Sequence, residues 1–113
     1  MRNNTINNIE FPAKDLEKLE RFYSTVFGWK FTSFGDDYIE FNDGWMTGGF
    51  NKNLERKSDG PLVIIYSDNL EKKLEDILTA GGKISNEIIS FPGGRRFQFT
   101  DVEGNELAVW SDK

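Results

Sequence analysis

Hydrophobicity along the chain switches between a period of two and a period of about three and a half. Ile9 and Phe11 alternate with Asn8 and Glu10, the pattern of a half-buried strand, and Pro12 closes it at an edge or bulge. Leu16, Leu19, Phe22, Tyr23 and Val26 then fall on one face of a helix, with Asp15 placed to cap its start and Gly28 to stop it. Three short strands are predicted next, over 29–33, 37–41 and 45–50. They are separated by Gly35 with its neighbouring aspartates and by the hairpin turn Asn42-Asp43-Gly44. The polar stretch 51–60 has no apolar period and reads as a connector. Beyond it the order recurs. A strand is expected over 62–66, then a helix whose apolar face is Leu70, Leu74, Ile77 and Leu78, ended by Gly81-Gly82. Strands over 83–90, 95–100 and 106–110 follow, with turns at Pro92-Gly93-Gly94 and Glu103-Gly104-Asn105.

The recurrence is visible in the letters as well. Leu16-Glu17-Lys18 returns 54 positions later as Leu70-Glu71-Lys72, and Thr25 and Gly28 return at the same offset as Thr79 and Gly82. Each half reads βαβββ, and neither buries its sheet and helix alone. Two such units are therefore expected to pack together, within one chain or by exchange between two. The fold class is α+β, with two βαβββ units (1–50 and 61–113, connector 51–60) forming a cupped mixed sheet in one domain of 113 residues.

Composition narrows the chemistry. The chain has no histidine and no cysteine, the two side chains most used to hold a catalytic transition metal or to activate a nucleophile near neutral pH. A net charge of −5 argues against nucleic acid and against an anionic membrane surface, both of which select clustered Lys and Arg. The amino terminus carries no apolar stretch of signal-peptide length, and the longest aliphatic run, 62–65, is too short to span a bilayer, so a cytoplasmic location is expected.

The residues Phe11-Pro12-Ala13-Lys14-Asp15-Leu16 running into Phe22-Tyr23-Ser24-Thr25-Val26-Phe27-Gly28-Trp29, then Ala80-Gly81-Gly82, and finally Phe99-Thr100-Asp101-Val102-Glu103-Gly104-Asn105, occur in an order that resembles the vicinal oxygen chelate superfamily. That superfamily includes glyoxalase I, extradiol dioxygenases, methylmalonyl-CoA epimerase, fosfomycin-resistance proteins and bleomycin-binding proteins. The resemblance covers nearly the whole chain and implies a glyoxalase/bleomycin resistance-like fold. Phe22, Tyr23 and Phe27 read as core rings, and Asp-x-x-Gly-Asn as a turn whose Gly and Asn supply positive φ. The resemblance also implies a divalent metal held by His, Gln or Glu. Aligned on Asp15, Asn69 and Gly104-Asn105, three of those positions carry Asn8, Leu62 and Ala108, which do not make an oxygen and nitrogen ligand shell. The fourth, near Gly48-Gly49, has no clear alignment. No metal and no other cofactor is therefore expected.

If Ile9, Phe11, Val63, Ile65, Leu107 and Val109 face the helices, alternation turns Asn8, Glu10, Leu62, Ile64, Tyr66, Glu106, Ala108 and Trp110 to the other side. Tyr38, Glu40, Arg96 and Gln98 join them by the same rule. This is the make-up of a small-molecule site. Glu10, Glu40 and Glu106 are candidate catalytic acids and bases, or else solvated or paired with Arg96. Asn8, Tyr38, Trp45, Leu62, Tyr66, Arg96, Gln98, Ala108 and Trp110 are candidate ligand-binding residues. Trp45 and Trp110 either stack on a planar or cationic ligand or pack in a core or dimer interface. Three functions fit: metal-independent binding or sequestration of a small organic compound by a homodimer; a glyoxalase-related lyase or isomerase using a glutamate base or a displaced carboxylate metal site; and a structural or regulatory homodimer with a vestigial cavity.

Overall fold

The computed structural model describes residues 3–4, 6–55 and 60–113. These divide into two compact units, Met1–Lys57 and Ser58–Lys113, each with one helix and one four-stranded mixed sheet.

In the first unit the chain runs β1 (Asn8–Pro12), α1 (Leu16–Phe27), β2 (Lys30–Ser33), β3 (Tyr38–Asn42) and β4 (Thr47–Asn51). The sheet order is β1-β4-β3-β2, with β1 parallel to β4 and the other neighbours antiparallel. The helix begins where its cap chemistry says it must. Asp15 is extended, and its carboxylate accepts the Lys18 amide at 3.1 Å, satisfying one of the donors a helix start leaves open. It ends at Gly28, whose φ of 73° is left-handed and whose N–H returns to the Ser24 carbonyl. Leu19, Phe22, Tyr23 and Val26 are buried, and the core they join is mostly rings. Trp29 stacks on Phe41 at 4.4 Å and on Tyr23 at 4.7 Å, and Phe50 lies 5.1 Å from Tyr23 and 5.4 Å from Phe11. Pairs at such spacings contribute beyond their buried area.

The second unit contains β5 (Val63–Tyr66), α2 (Leu70–Thr79), β6 (Lys83–Phe91), β7 (Gly94–Thr100) and β8 (Glu106–Ser111), in the sheet order β5-β8-β7-β6 with the same mixture of parallel and antiparallel pairs. Asn69, 54 positions after Asp15, caps its helix in the same way, accepting the Lys72 amide at 3.1 Å. The core comprises Leu70, Ile77, Phe97, Phe99, Leu107 and Val109. A bidentate ion pair from Arg95 to Glu71 ties β7 to α2, and the Arg95 guanidinium also donates to the Lys113 carbonyl.

Several expectations need correction. Trp45 belongs to no strand: it sits in the β3–β4 turn, where the Asp43 carboxylate accepts the amides of Trp45 and Met46 and halts the ladder. Asn51 is the last residue of β4, not the start of the connector, and 56–59 lie outside the described residues. Leu62 precedes β5. Leu78 is 50% exposed, so the apolar stripe of α2 runs through Leu70, Leu74 and Ile77 without it. Gly104 has the expected positive φ, at 82°, whereas Asn105 does not and serves instead as a hydrogen-bond partner of Asp101. The Glu106 and Arg96 side chains are not paired; Glu106 accepts from Ser85 Oγ at 2.6 Å, and no ion pair among the described residues includes Arg96.

Candidate functional site

In the first unit Phe11, Ile39, Phe41 and Phe50 are buried on the helix-covered face, so strand alternation sends Asn8, Glu10, Tyr38 and Glu40 to the helix-free one. Pairing brings them together. Gly49, on the central strand β4, is flanked by Glu10 on one side and Glu40 on the other. Two strand spacings separate the backbones of the two glutamates, about 10 Å. Nothing from Gly49 fills the space between, and Tyr38 uses it. A Cβ built on Gly49 would meet the Tyr38 phenol, so glycine is what lets the ring lie down on the strand. From there the Tyr38 hydroxyl faces the Glu10 carboxylate and the Asn8 amide. Asn51 Nδ2 donates to Glu10 Oε1 at 3.2 Å.

Burial, with the negative charge of Glu10 behind it, raises the Tyr38 pKa above its ordinary value of 10.0. The folded protein therefore holds this proton more tightly than the unfolded chain does. Stability contributed by the group is present below about pH 10 and falls as pH rises through the folded-state pKa. Absorbance at 295 nm during alkaline titration is expected to show one tyrosine ionising late that is missing from Tyr38→Phe. Tyr66 also ionises late, so the difference between the two proteins is the reading that identifies Tyr38.

The second unit arranges a different set. Arg95 reaches α2, so its neighbour Arg96 points to the helix-free face, and the pairing gives a cross-strand row Tyr66–Trp110–Arg96–Ile89. Tyr66 meets Trp110 edge to face at 5.2 Å, and its hydroxyl donates to Asp112 Oδ1 at 2.6 Å. That bond holds the Tyr66 pKa above, and the Asp112 pKa below, their ordinary values. The next row is Ile64–Ala108–Gln98, and Glu106 follows on β8. Ile64 is 46% and Tyr66 48% exposed, whereas Ala108 is buried. Trp45, 96% exposed at its turn, stands on neither sheet face.

The pairing also locates the fourth position that sequence alignment leaves open. Ala108 lies between Ile64 and Gln98 as Gly49 lies between Glu10 and Glu40. Gly49 is thus the first unit's counterpart of Ala108, 59 positions earlier. The four places where relatives would carry metal ligands hold Asn8, Gly49, Leu62 and Ala108, and these supply one neutral amide as their only side-chain donor. A divalent metal shell needs several charged or imidazole donors, so these residues do not fit one. Glu10, Glu40 and Glu106 do not replace them: among the described residues no three His, Cys, Asp or Glu side chains gather in a group able to hold a metal ion. Asn51 and Gly49, absent from the candidates read off the sequence, are central to the arrangement. Among the described residues no helix is long and apolar enough to cross a membrane.

Residues 5–109 match the family model described as Glyoxalase/Bleomycin resistance protein/Dioxygenase superfamily. A glyoxylase-like domain-containing protein of Didymella fabae is 34% identical over 119 aligned positions, covering 92% of this chain and 91% of its own. Among solved structures, a glyoxalase/bleomycin resistance protein/dioxygenase family enzyme from Burkholderia phytofirmans PsJN superposes with a TM-score of 0.82 at 15% identity, covering 95% of this chain and 98% of that one. TioX from Micromonospora sp. ML1 gives a TM-score of 0.75 at 15% identity over 97% of this chain and 100% of that one. The fosfomycin resistance protein FosX of Listeria monocytogenes gives 0.79 at 16% identity over 97% and 94%. At such identities these structures speak for the fold, while the family model speaks for descent. The chain is a member of the Glyoxalase/Bleomycin resistance protein/Dioxygenase superfamily.

Proposed function

We propose that this protein binds a small organic compound on the helix-free side of its sheets without a bound metal, and that the Glu10–Tyr38–Glu40 set receives a positively charged or hydrogen-bond-donating group of that compound. The observation that carries the reading is the phenol of Tyr38 laid over Gly49, between two carboxylates, at the place that corresponds to a metal ligand in relatives. Both carboxylates are acceptors once ionised, and Asn51 Nδ2, donating to Glu10 at 3.2 Å, holds that carboxylate without engaging Glu40. Glu40 is partly buried, so a cation held there gains more than it would at a fully solvated surface.

A thermal-shift screen with primary amines and amidines tests this. A ligand at about a hundred times its dissociation constant stabilises the native state by about 2.7 kcal/mol. The expected result is a concentration-dependent rise in melting temperature that Glu40→Gln removes. A panel of such cations giving no rise, or a rise unchanged in Glu40→Gln, contradicts the assignment of this set.

A further inference from the structure

The Tyr66–Trp110–Arg96 row in the second unit has a chemistry opposite to that of the Glu10–Tyr38–Glu40 set. Arg96 is partly buried, and neither a hydrogen bond nor an ion pair engages it among the described residues. Its neighbour Arg95 shows how this sequence treats an arginine used for structure, with both guanidinium ends bonded to Glu71 and Lys113. Asp112 and Glu106 are committed elsewhere, and Glu87, on β6 two residues from Ile89, forms no ion pair with Arg96. Asp112 is engaged by the Tyr66 hydroxyl, and the charge that acts on it is that of Lys113. Glu106 is bonded to Ser85 and pairs with Thr100, four residues along β7 from Arg96, or about 13 Å at strand spacing. At that distance, solvent and salt leave little of its field at Arg96.

An arginine on a half-buried face with no anionic partner among the described residues offers its guanidinium to a ligand that supplies one. Beside it on the same face is the side chain of Trp110, its cross-strand partner, propped edge to face by Tyr66. Gln98, two residues on, adds an amide. A planar donor fork next to a large apolar ring matches a molecule with a carboxylate at one end and a flat hydrophobic body. We infer that the Tyr66–Trp110–Arg96 row is a subsite for an aromatic or conjugated carboxylate, with Arg96 taking the carboxylate and Trp110 packing on the flat body. The inference rests on the reading that the helix-free faces bind small molecules, and it adds the sign and shape of one ligand group.

The test uses three probes of one shape on the full chain: 1-naphthoate, its neutral amide 1-naphthamide, and the cation 1-naphthylmethylamine. Affinity is read by calorimetry, and the place of binding by the indole N–H resonance of Trp110, assigned with Trp110→Phe. Naphthoate is expected to bind about ten- to hundredfold more tightly than naphthamide, as a charge-assisted pair allows, and to shift the Trp110 resonance. Arg96→Met is expected to erase that advantage, and Arg96→Lys to restore only part of it, because an ammonium is a point charge and not a fork. Asp112→Asn is expected to keep or increase it. Equal binding of naphthoate and naphthamide by the unaltered protein overturns the subsite, and so does an advantage that survives in Arg96→Met. The first comparison needs no variant, so it decides even where Arg96→Met does not fold. The amine separates this inference from the broader one. If naphthylmethylamine binds in a Glu40-dependent way while naphthoate gains nothing from its charge, the Arg96 subsite falls and the proposed function stands.

Discussion

Phe50→Ala is expected to cost about 4 kcal/mol of stability, the usual range for emptying a core position of its ring. Phe50 is fully buried on β4, the strand that two others flank. Its ring touches those of Phe11, Tyr23, Phe31 and Phe41, with centroids 5.1 to 6.3 Å away. Removing it opens a void lined by rigid aromatic groups that cannot slide together, so little of the loss is recovered by relaxation. At about 4 °C per kcal/mol for a chain of this length, the melting temperature falls by roughly 15 °C. Trp45→Ala is the contrast: a larger side chain is removed, but it is 96% exposed and the change is expected to stay within about 0.5 kcal/mol. Calorimetric or circular-dichroism melts of the two variants decide. Similar losses in both would mean that the aromatic core is misassigned.

The second large effect is expected at Asp101. Its buried carboxylate accepts hydrogen bonds from the amides of Glu103 at 2.8 Å and Asn105 at 2.9 Å and from Asn105 Nδ2 at 2.9 Å. Together they close the turn between β7 and β8, with Gly104 at positive φ inside it. Asp101→Ala leaves those donors without an acceptor in a place water reaches poorly. The penalty for buried unsatisfied groups puts the loss at about 3 kcal/mol, or roughly 12 °C. Asp101→Asn keeps one carbonyl acceptor and is expected to lose about half as much. Amide exchange should localise the damage: protection falls first at the β7–β8 turn, while α1 and β1–β4 keep theirs. A uniform loss over both units would contradict the local role given to this carboxylate.

Much of the architecture was legible in the residues because local chemistry and fold agree. Asp15 and Gly28 mark the ends of α1 by satisfying what a helix leaves open, and the 54-residue recurrence places Asn69 in the role of Asp15. Alternation separates the two faces where one of them is core, since a shift of one residue would put Phe97 and Phe99 on the side away from the helix. Where reading failed, a nearby polar side chain had overridden hydrophobicity. Trp45 and Met46 look like strand, but Asp43 captures both amides and makes a turn. Asn105 looks like a left-handed turn residue, but it is recruited by Asp101. Leu78 follows Ile77 on α2 and is turned away from the core by one helical step of about 100°.

The candidate site was legible by face and not by neighbour. Asn8, Glu10, Tyr38 and Glu40 could be placed on one side of a sheet from their spacing alone. That Glu10 and Glu40 flank the same glycine depends on which strands pair, and β1 finds β4 across about forty intervening residues. The fourth metal position stayed hidden for a related reason. β6 and β7 form a longer hairpin than β2 and β3, so the offset between the units grows from 54 to 59 and a fixed repeat no longer aligns Gly49 with Ala108. Tyr38 lying over Gly49 has no signature in the sequence, since it depends on the absence of a Cβ on the neighbouring strand.

Calorimetric titration of the unaltered, metal-stripped chain with Ni, Zn and Mn addresses the central point, that the superfamily's metal chemistry has no seat among Asn8, Gly49, Leu62 and Ala108. The expected trace shows no saturable heat in the submicromolar range for any of the three ions. Saturable one-to-one binding of any of them in that range would contradict it.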